Sequence, residues 1–329
     1  MNYQKELQAA LAAVTSASRL CREVQAALVN EEALQKRDRS PVTVADFGVQ
    51  AVVMAGVLRG FPSDKMVGEE DSSYLRQPEN NQIRAKVVEF VRRIEPDLSP
   101  AETLELIDRG DYSGGGRERY WTLDPIDGTK GFLRNEQYAL ALALIEEGEV
   151  VMGVLGCPNL PLWMKAPGEG SGCIFSAVKG SGAGMKPLTG EGLVEIEVDS
   201  ITDISEAVIC ESVEKEHTSH DDSAEVARRL GVKAPALRID SQCKYGAVAR
   251  GDASIYLRLP TRPGYVEKIW DHAAGSIIVE EAGGEVSDIY GRRLDFSRGR
   301  TLELNKGVVV TNGIFHQATL TAVKAALRL

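Results

Sequence analysis

Trp121-Thr122-Leu123-Asp124-Pro125-Ile126-Asp127-Gly128-Thr129 stands where an extended apolar run, residues 119–126, meets two carboxylates three positions apart. The run reads as a strand. Pro125 stiffens its end, because proline fixes its own φ and holds the preceding residue extended. Asp124, Asp127 and the Ile126 carbonyl are thereby aimed at one point, and an oxygen-only donor set suits a hard cation such as Mg²⁺. Gly128 permits a tight turn, after which Thr129 offers a hydroxyl. An acidic surface turn uses the same residue types, so the weight falls on what surrounds the segment.

Downstream, Ala139, Ala141 and Ala143 alternate with Leu140, Leu142 and Leu144. That is the period of a strand with small side chains on one face and large ones on the other. Glu147-Gly148 turns the chain into a second strand, 150–155, so the sheet contains a hairpin and is mixed. Upstream, residues 65–68 read as a short strand running into Glu69-Glu70-Asp71. Apolar positions at steps of three and four predict helices over 7–28, 44–58 and 82–94. The second half alternates strands (194–198, 207–210, 254–259, 307–311) with helices (223–230, 277–282 and from 318 on). Glycine density over 167–192 predicts a mobile insertion or an inter-domain border. It divides an N-terminal α+β lobe, 1–166, with most of the acidic candidates, from a C-terminal α/β lobe, 167–329.

The chain has 329 residues, 43% apolar and 26% charged, enough for a sizeable core and against a disordered, fibrous or disulfide-stapled class. Its net charge of −10 argues against nucleic-acid polymers and anionic membranes as partners. The longest unbroken apolar stretch, 138–145, is far short of the roughly 20 residues that span a bilayer. Charges at Lys5, Glu6, Arg19, Arg22 and Glu23 deny the first thirty residues a signal-peptide core. A cytoplasmic monomer is expected, and an organellar location would need a leader outside this sequence. The five cysteines are dispersed without a CxxC pair and read as small buried thiols, with Cys157 and Cys173 the pair to consider for a reversible disulfide. Gly-rich 168–172 and 180–184 read as flexible hairpin linkers, since Met185 and Pro187 break the phosphate-loop spacing around Lys186.

Two further segments carry acids: Gly68-Glu69-Glu70-Asp71 after a strand, and Trp270-Asp271-His272-Ala273-Ala274-Gly275 opening an apolar helix. Alone, the first reads as a solvated loop and the second as a helix N-cap. Together with Asp124 and Asp127 they make a hard-metal pocket drawn from both halves of the chain. In this order and spacing they resemble the lithium-sensitive, magnesium-dependent phosphomonoesterase superfamily of the inositol monophosphatases. Ser40-Pro41-Val42-Thr43-Val44-Ala45-Asp46-Phe47-Gly48, residues 124–132 and Lys268-Ile269-Trp270-Asp271 carry the same resemblance. Its bisphosphate nucleotidase branch is favoured by Glu211-Ser212-Val213-Glu214-Lys215-Glu216-His217, by Asp240-Ser241-Gln242-Cys243-Lys244-Tyr245 and by Asp111-Tyr112-Ser113-Gly114-Gly115-Gly116-Arg117.

The resemblance implies a five-layered α-β-α-β-α sandwich (class α/β, mixed sheets, two lobes). It implies two or three Mg²⁺ ions held by Glu69, Asp124, Asp127, Asp271 and the Ile126 carbonyl, with Asp46 and Thr129 positioning and activating the attacking water. Thr129, Ser241, Lys244, Arg258 and Asp271 would meet the substrate phosphate and ribose, with His217 at the nucleotide. The implied reaction is hydrolysis of the 3′-phosphate of adenosine 3′,5′-bisphosphate to AMP and phosphate. 3′-Phosphoadenylyl sulfate would be a second substrate, Li⁺ an inhibitor and sulfur assimilation the setting. The same centre suits an inositol polyphosphate 1-phosphatase. A non-catalytic nucleotide sensor would not need the water-activating pair. Lys36 is either a lid residue or an exposed loop lysine, and Tyr245 reads as core packing.

Overall fold

The leucine and alanine faces of residues 139–145 decide how the layers stack. The protein, described from a computed structural model over residues 3–28, 40–164, 170–213, 220–262 and 264–329, begins with α1 (Gln4–Leu28) and α2 (Ser40–Gly60). There follow β1 (Lys65–Gly68), α3 (Ser73–Arg76), α4 (Asn81–Ile94), α5 (Pro100–Asp108), β2 (Tyr120–Asp127) and α6 (Thr129–Leu133). Strands β3 (Ala139–Glu146), β4 (Glu149–Pro161), β5 (Ser171–Val178), β6 (Ala183–Pro187) and β7 (Val194–Ile196) complete a seven-stranded sheet in the order β1 to β7. Only its β1–β2 pair is parallel. Leu140, Leu142 and Leu144 pack with α1 and α2, whereas Ala139, Ala141 and Ala143 face the opposite core.

The second half supplies β8 (Ile209–Glu211), α7 (His220–Leu230), β9 (Leu237–Arg238), α8 (Cys243–Ala249), β10 (Ile255–Arg258), α9 (Ala273–Glu281), β11 (Glu285–Ser287), β12 (Val308–Thr311) and α10 (His316–Leu327). Its five strands run in the order β11-β12-β10-β8-β9, with β8, β9 and β10 parallel and β12 antiparallel to both neighbours. Helices α8 and α9 lie between the two sheets, and α7 and α10 cover the outer face of the second. The result is the expected α-β-α-β-α sandwich. The alanine face of β3 is what lets α9 come close: a Cβ at Gly153 of β4 would meet the Ala274 carbonyl at 2.7 Å. At its far end α9 is tied to the first sheet, because the Glu281 carboxylate accepts the N–H groups of Gly180 (2.7 Å), Ser181 (3.0 Å) and Gly182 (2.9 Å) in the β5–β6 turn.

Helix α2 is apolar nearly all round because both its faces are covered, by α1 and by the first sheet. Its Val42–Gly60 stretch, mean hydropathy 1.5, has the length and composition of a membrane span, and 67% of it is buried inside the fold. Packing accounts for it. Within the Gly-rich stretch 167–192, Ser171–Val178 and Ala183–Pro187 form β5 and β6, while residues 165–169 lie outside the described residues. The passage between the sheets falls between Ile196 and Ile209, so a border at 166/167 divides the first sheet. Glycine serves there as a strand residue, since Arg22 reaches over Gly172 to the Pro158 (2.7 Å) and Ser171 (2.8 Å) carbonyls and a Cβ would obstruct it. All five cysteines are buried free thiols, and Cys157 and Cys173 are direct cross-strand partners. Helix α5 had no counterpart in the periodicity; a Ser99–Glu102 capping box starts it.

Candidate active site

Strands β1 and β2 pair in parallel with Gly68 opposite Leu123, so the next residues, Glu69 just past β1 and Asp124 within β2, stand side by side. Their carboxyl groups are close enough for each to act on the other's ionisation. Residues three apart on a regular strand point to opposite faces. Here the β2–β3 register jumps from Asp124 opposite Ala141 to Asp127 opposite Ala139, which inserts one extra residue at Pro125-Ile126. That bulge brings both aspartates to one side, and proline suits it because it donates no ladder bond.

Both line a cavity of about 250 Å³ together with Glu69, Ile126, Thr129, Ser241, Lys244, Arg258 and Asp271. Nine residues singled out from the sequence therefore meet there. Asp46 is not on its wall: it stands on α2, near enough to Glu69 and Glu70 to feel their charge. Lys36 and His217 lie outside the described residues.

The turn after β2 is held closely. Gly128 adopts φ 89°, and a Cβ there would lie 2.9 Å from that of Ser241, itself in the left-handed region at φ 64°. Asp127 Oδ2 accepts the Gln242 backbone N–H at 2.6 Å. The buried Lys244 ammonium donates to Ser212 Oγ (3.1 Å) and the Ile239 carbonyl (3.2 Å); burial pushes its pKa down, against the pull of Asp127. Arg258 Nη2 lies 2.8 Å from Glu267 Oε2 and 3.2 Å from Asp271 Oδ2. Tyr245 is fully buried, as expected of core packing, and its hydroxyl reaches His272 Nδ1 at 2.7 Å.

Sequence reasoning missed three supports. Gln50, fully buried on α2, donates to the Glu70 (2.6 Å) and Ile107 (2.8 Å) carbonyls and accepts the Glu70 N–H (3.1 Å). Its signal was a lone amide in the apolar run 47–58. Arg300 donates to the carbonyls of Gly68, Gly110 (3.2 Å) and Tyr112 (3.0 Å), pinning the strand end that presents Glu69. Glu267 is the third, and no local pattern marks it or Arg300.

Burial, then the charges of Asp271, Glu70 and Asp127, push Glu69 up to about 8. Burial and neighbouring carboxylates raise Asp124 and Asp46 well above the usual range, while Asp271 is raised by burial against the pull of Arg258. These acids share one site and oppose one another's ionisation. Among the described residues, Asp124 Oδ1 is buried without a hydrogen-bond partner. Four carboxylates converging around an oxygen with no donor fit hard divalent cations. Glu267, Asp271 and His272 also bring ligand atoms within 4.8 Å of one another. Tyr245 and Glu267 occupy both His272 nitrogens, and Arg258 occupies Glu267, so Asp271 is the member of that group presented to the cavity.

Known proteins resemble this chain along nearly its whole length. At 44% identity over all of both chains, it is similar to a 3′(2′),5′-bisphosphate nucleotidase of Emericella nidulans. It is 47% identical to one from Oryza sativa over 99% of this chain and 95% of the relative, and 45% identical to one from Schizosaccharomyces pombe over 96% and 94%. Among solved structures, Thermotoga maritima IMPase superposes with a TM-score of 0.63 at 20% identity, covering 99% of each chain. CysQ from Bacteroides thetaiotaomicron superposes at 0.61 and 21%, covering 94% of this chain and 98% of its own. The Inositol monophosphatase family profile matches residues 2–328, end to end across both sheets and every acid of the cavity, and the chain belongs to that family.

Proposed function

We propose that this chain is a Mg²⁺-dependent 3′(2′),5′-bisphosphate nucleotidase that hydrolyses the 3′-phosphate of adenosine 3′,5′-bisphosphate to AMP and inorganic phosphate. The observation that carries it is the meeting of Glu69, Asp124, Asp127 and Asp271, from three distant segments, in one cavity whose other wall holds Ser241, Lys244 and Arg258. The full-length likeness to nucleotidases supports the choice of substrate. Glu69, Asp124, Asp127, Asp271 and the Ile126 carbonyl would hold two or three Mg²⁺. Bound there, the ions would neutralise the phosphoryl oxygens, acidify the attacking water and steady the leaving alkoxide.

The chain's own residues do the rest. Asp46, on α2 near Glu69 and Glu70, would take the water's proton. Thr129 lines the cavity with Asp127, and its hydroxyl would help position the water. Lys244 and Arg258 supply the cationic face for the non-reacting phosphate, Ser241 donates to the same group, and Asp271 closes the site. His217 is placed at the nucleotide by resemblance alone. A small phosphate ester suits a chain of −10 net charge once the carboxylates are neutralised locally. 3′-Phosphoadenylyl sulfate as a second substrate, a cytoplasmic monomer and Li⁺ inhibition complete the reading.

Phosphate release from adenosine 3′,5′-bisphosphate, with and without Mg²⁺ and Li⁺, tests it. Turnover that needs Mg²⁺, falls with Li⁺ and vanishes in Asp124→Ala is expected. A higher kcat/KM for inositol 1,4-bisphosphate would replace the substrate, and no phosphate release from either would overturn the reading.

A further inference from the structure

We propose that Glu267 is a positioning residue which restrains Arg258 from closing on Asp271 and thereby keeps Asp271 available to a divalent cation. The inference rests on Asp271 being a metal ligand in the reading above. One nitrogen, Arg258 Nη2, is shared by three acceptors: Glu267 Oε2 at 2.8 Å, Asp271 Oδ2 at 3.2 Å and the Tyr265 hydroxyl at 3.5 Å. It has two hydrogens to give, and the shortest contact is to Glu267. The charged parties are shielded: the side chains of Arg258, Glu267 and Asp271 are 14%, 8% and 16% exposed, while Tyr265 is open to solvent. A guanidinium in that setting forms a strong two-pronged pair with any carboxylate it reaches squarely, and such a pair competes with a metal ion for the same oxygens.

Glu267 cannot follow the guanidinium, because the same oxygen is 3.2 Å from His272 Nε2. The other ring nitrogen, Nδ1, meets the Tyr245 hydroxyl at 2.7 Å. The partners assign the tautomer: Tyr245 donates to Nδ1, and Nε2–H donates to Glu267. His272 and Tyr245 are both fully buried, and Tyr245 is packed against Gly275 of α9, where a Cβ has no room. Tyr245, His272 and Glu267 thus form a fixed line from the middle helix layer to the guanidinium. Arg258 is left balanced between two acids, so a cation arriving at Asp271 displaces one long contact instead of a full ion pair.

Calorimetric titration of the full chain with Mg²⁺, without substrate, tests this. Glu267→Gln should bind Mg²⁺ about tenfold or more weakly, the range seen when groups that orient metal ligands are altered. Its kcat should recover as Mg²⁺ is raised, which a merely structural defect would not do. Arg258→Ala should bind Mg²⁺ at least as tightly as wild type, and adding Glu267→Gln to it should change nothing further. Wild-type affinity in Glu267→Gln, weaker binding in Arg258→Ala, or an undiminished second drop in the double variant overturns the proposal. If Glu267→Gln does not fold, the Arg258→Ala titration decides. Since no substrate is present, a failure to hydrolyse the bisphosphate would sink the nucleotidase reading without touching this one.

Discussion

The Asp127 carboxylate accepts the backbone N–H of Gln242 at 2.6 Å, joining the end of β2 to the turn before α8. This bond ties the acidic wall of the cavity to the wall that carries Ser241 and Lys244. It also helps hold Ser241 in the left-handed region, a conformation that persists in a non-glycine residue only where its surroundings impose it.

Gly128→Ala should therefore act on both walls. The methyl would meet Ser241 Cβ at 2.9 Å, and the backbone at φ 89° already disfavours any side chain. KM for the bisphosphate should rise and kcat fall, with kcat/KM down by about tenfold or more from misplacement of the reacting groups. Steady-state kinetics at saturating Mg²⁺ check it, and an unchanged kcat/KM would show that the turn relaxes freely.

Asp124→Asn should separate function from stability. Turnover should drop at least about a hundredfold, as it does when a group stabilising transition-state charge is lost. The metal-free protein should nevertheless melt higher than wild type, because a buried acid crowded by Glu69, Asp127 and Asp271 has been replaced by a neutral amide. Phosphate release and a thermal melt in EDTA make the comparison.

Asp46→Asn should lower kcat by at least about a hundredfold, the scale of general-base catalysis. Mg²⁺ affinity should stay within a few-fold of wild type, since Asp46 lies off the cavity wall. Calorimetry alongside kinetics distinguishes a base from a ligand: equal losses in both would make Asp46 a ligand.

The acidic cluster also sets a pH dependence for the metal-free chain. Glu69, at about 8 in the folded state, lies above its unfolded value of about 4.3. Stability present below the lower value is lost as pH rises through the upper one. In EDTA the melting temperature should fall as pH rises from about 4.5 to about 8, and Mg²⁺ should stabilise more at the higher pH. A flat profile in EDTA would mean that the carboxylates ionise independently.

Much of the site was legible because its acids sit at element ends, where local pattern is strongest. The strand before Asp124, the strand before Glu69 and the apolar helix after Asp271 announce themselves by period. That Asp124 and Asp127 share a face did not follow from period, since three steps along a strand invert direction; only the bulge at Pro125-Ile126 resolves it. Arg300 is 232 positions from the Gly68 carbonyl it holds, and nothing near either residue announces the pairing. The β5–β6 segment reads as linker and not as sheet for a physical reason. Glycines that make room for Arg22 and Leu193 have the composition of a loop and the geometry of a strand.

The three backbone amides that grip Glu281 act at the other end of the helix that starts just after Asp271. A rod fastened to the first sheet at one end, and packed along β4 and β5 on the way, leaves little play at its tip. The distance across which Asp271 faces Asp124 is therefore a built dimension of the molecule, not the amplitude of a hinge. A phosphate ester would then be sorted by how it fills that gap, with adjustment left to the exposed Tyr265 at its rim.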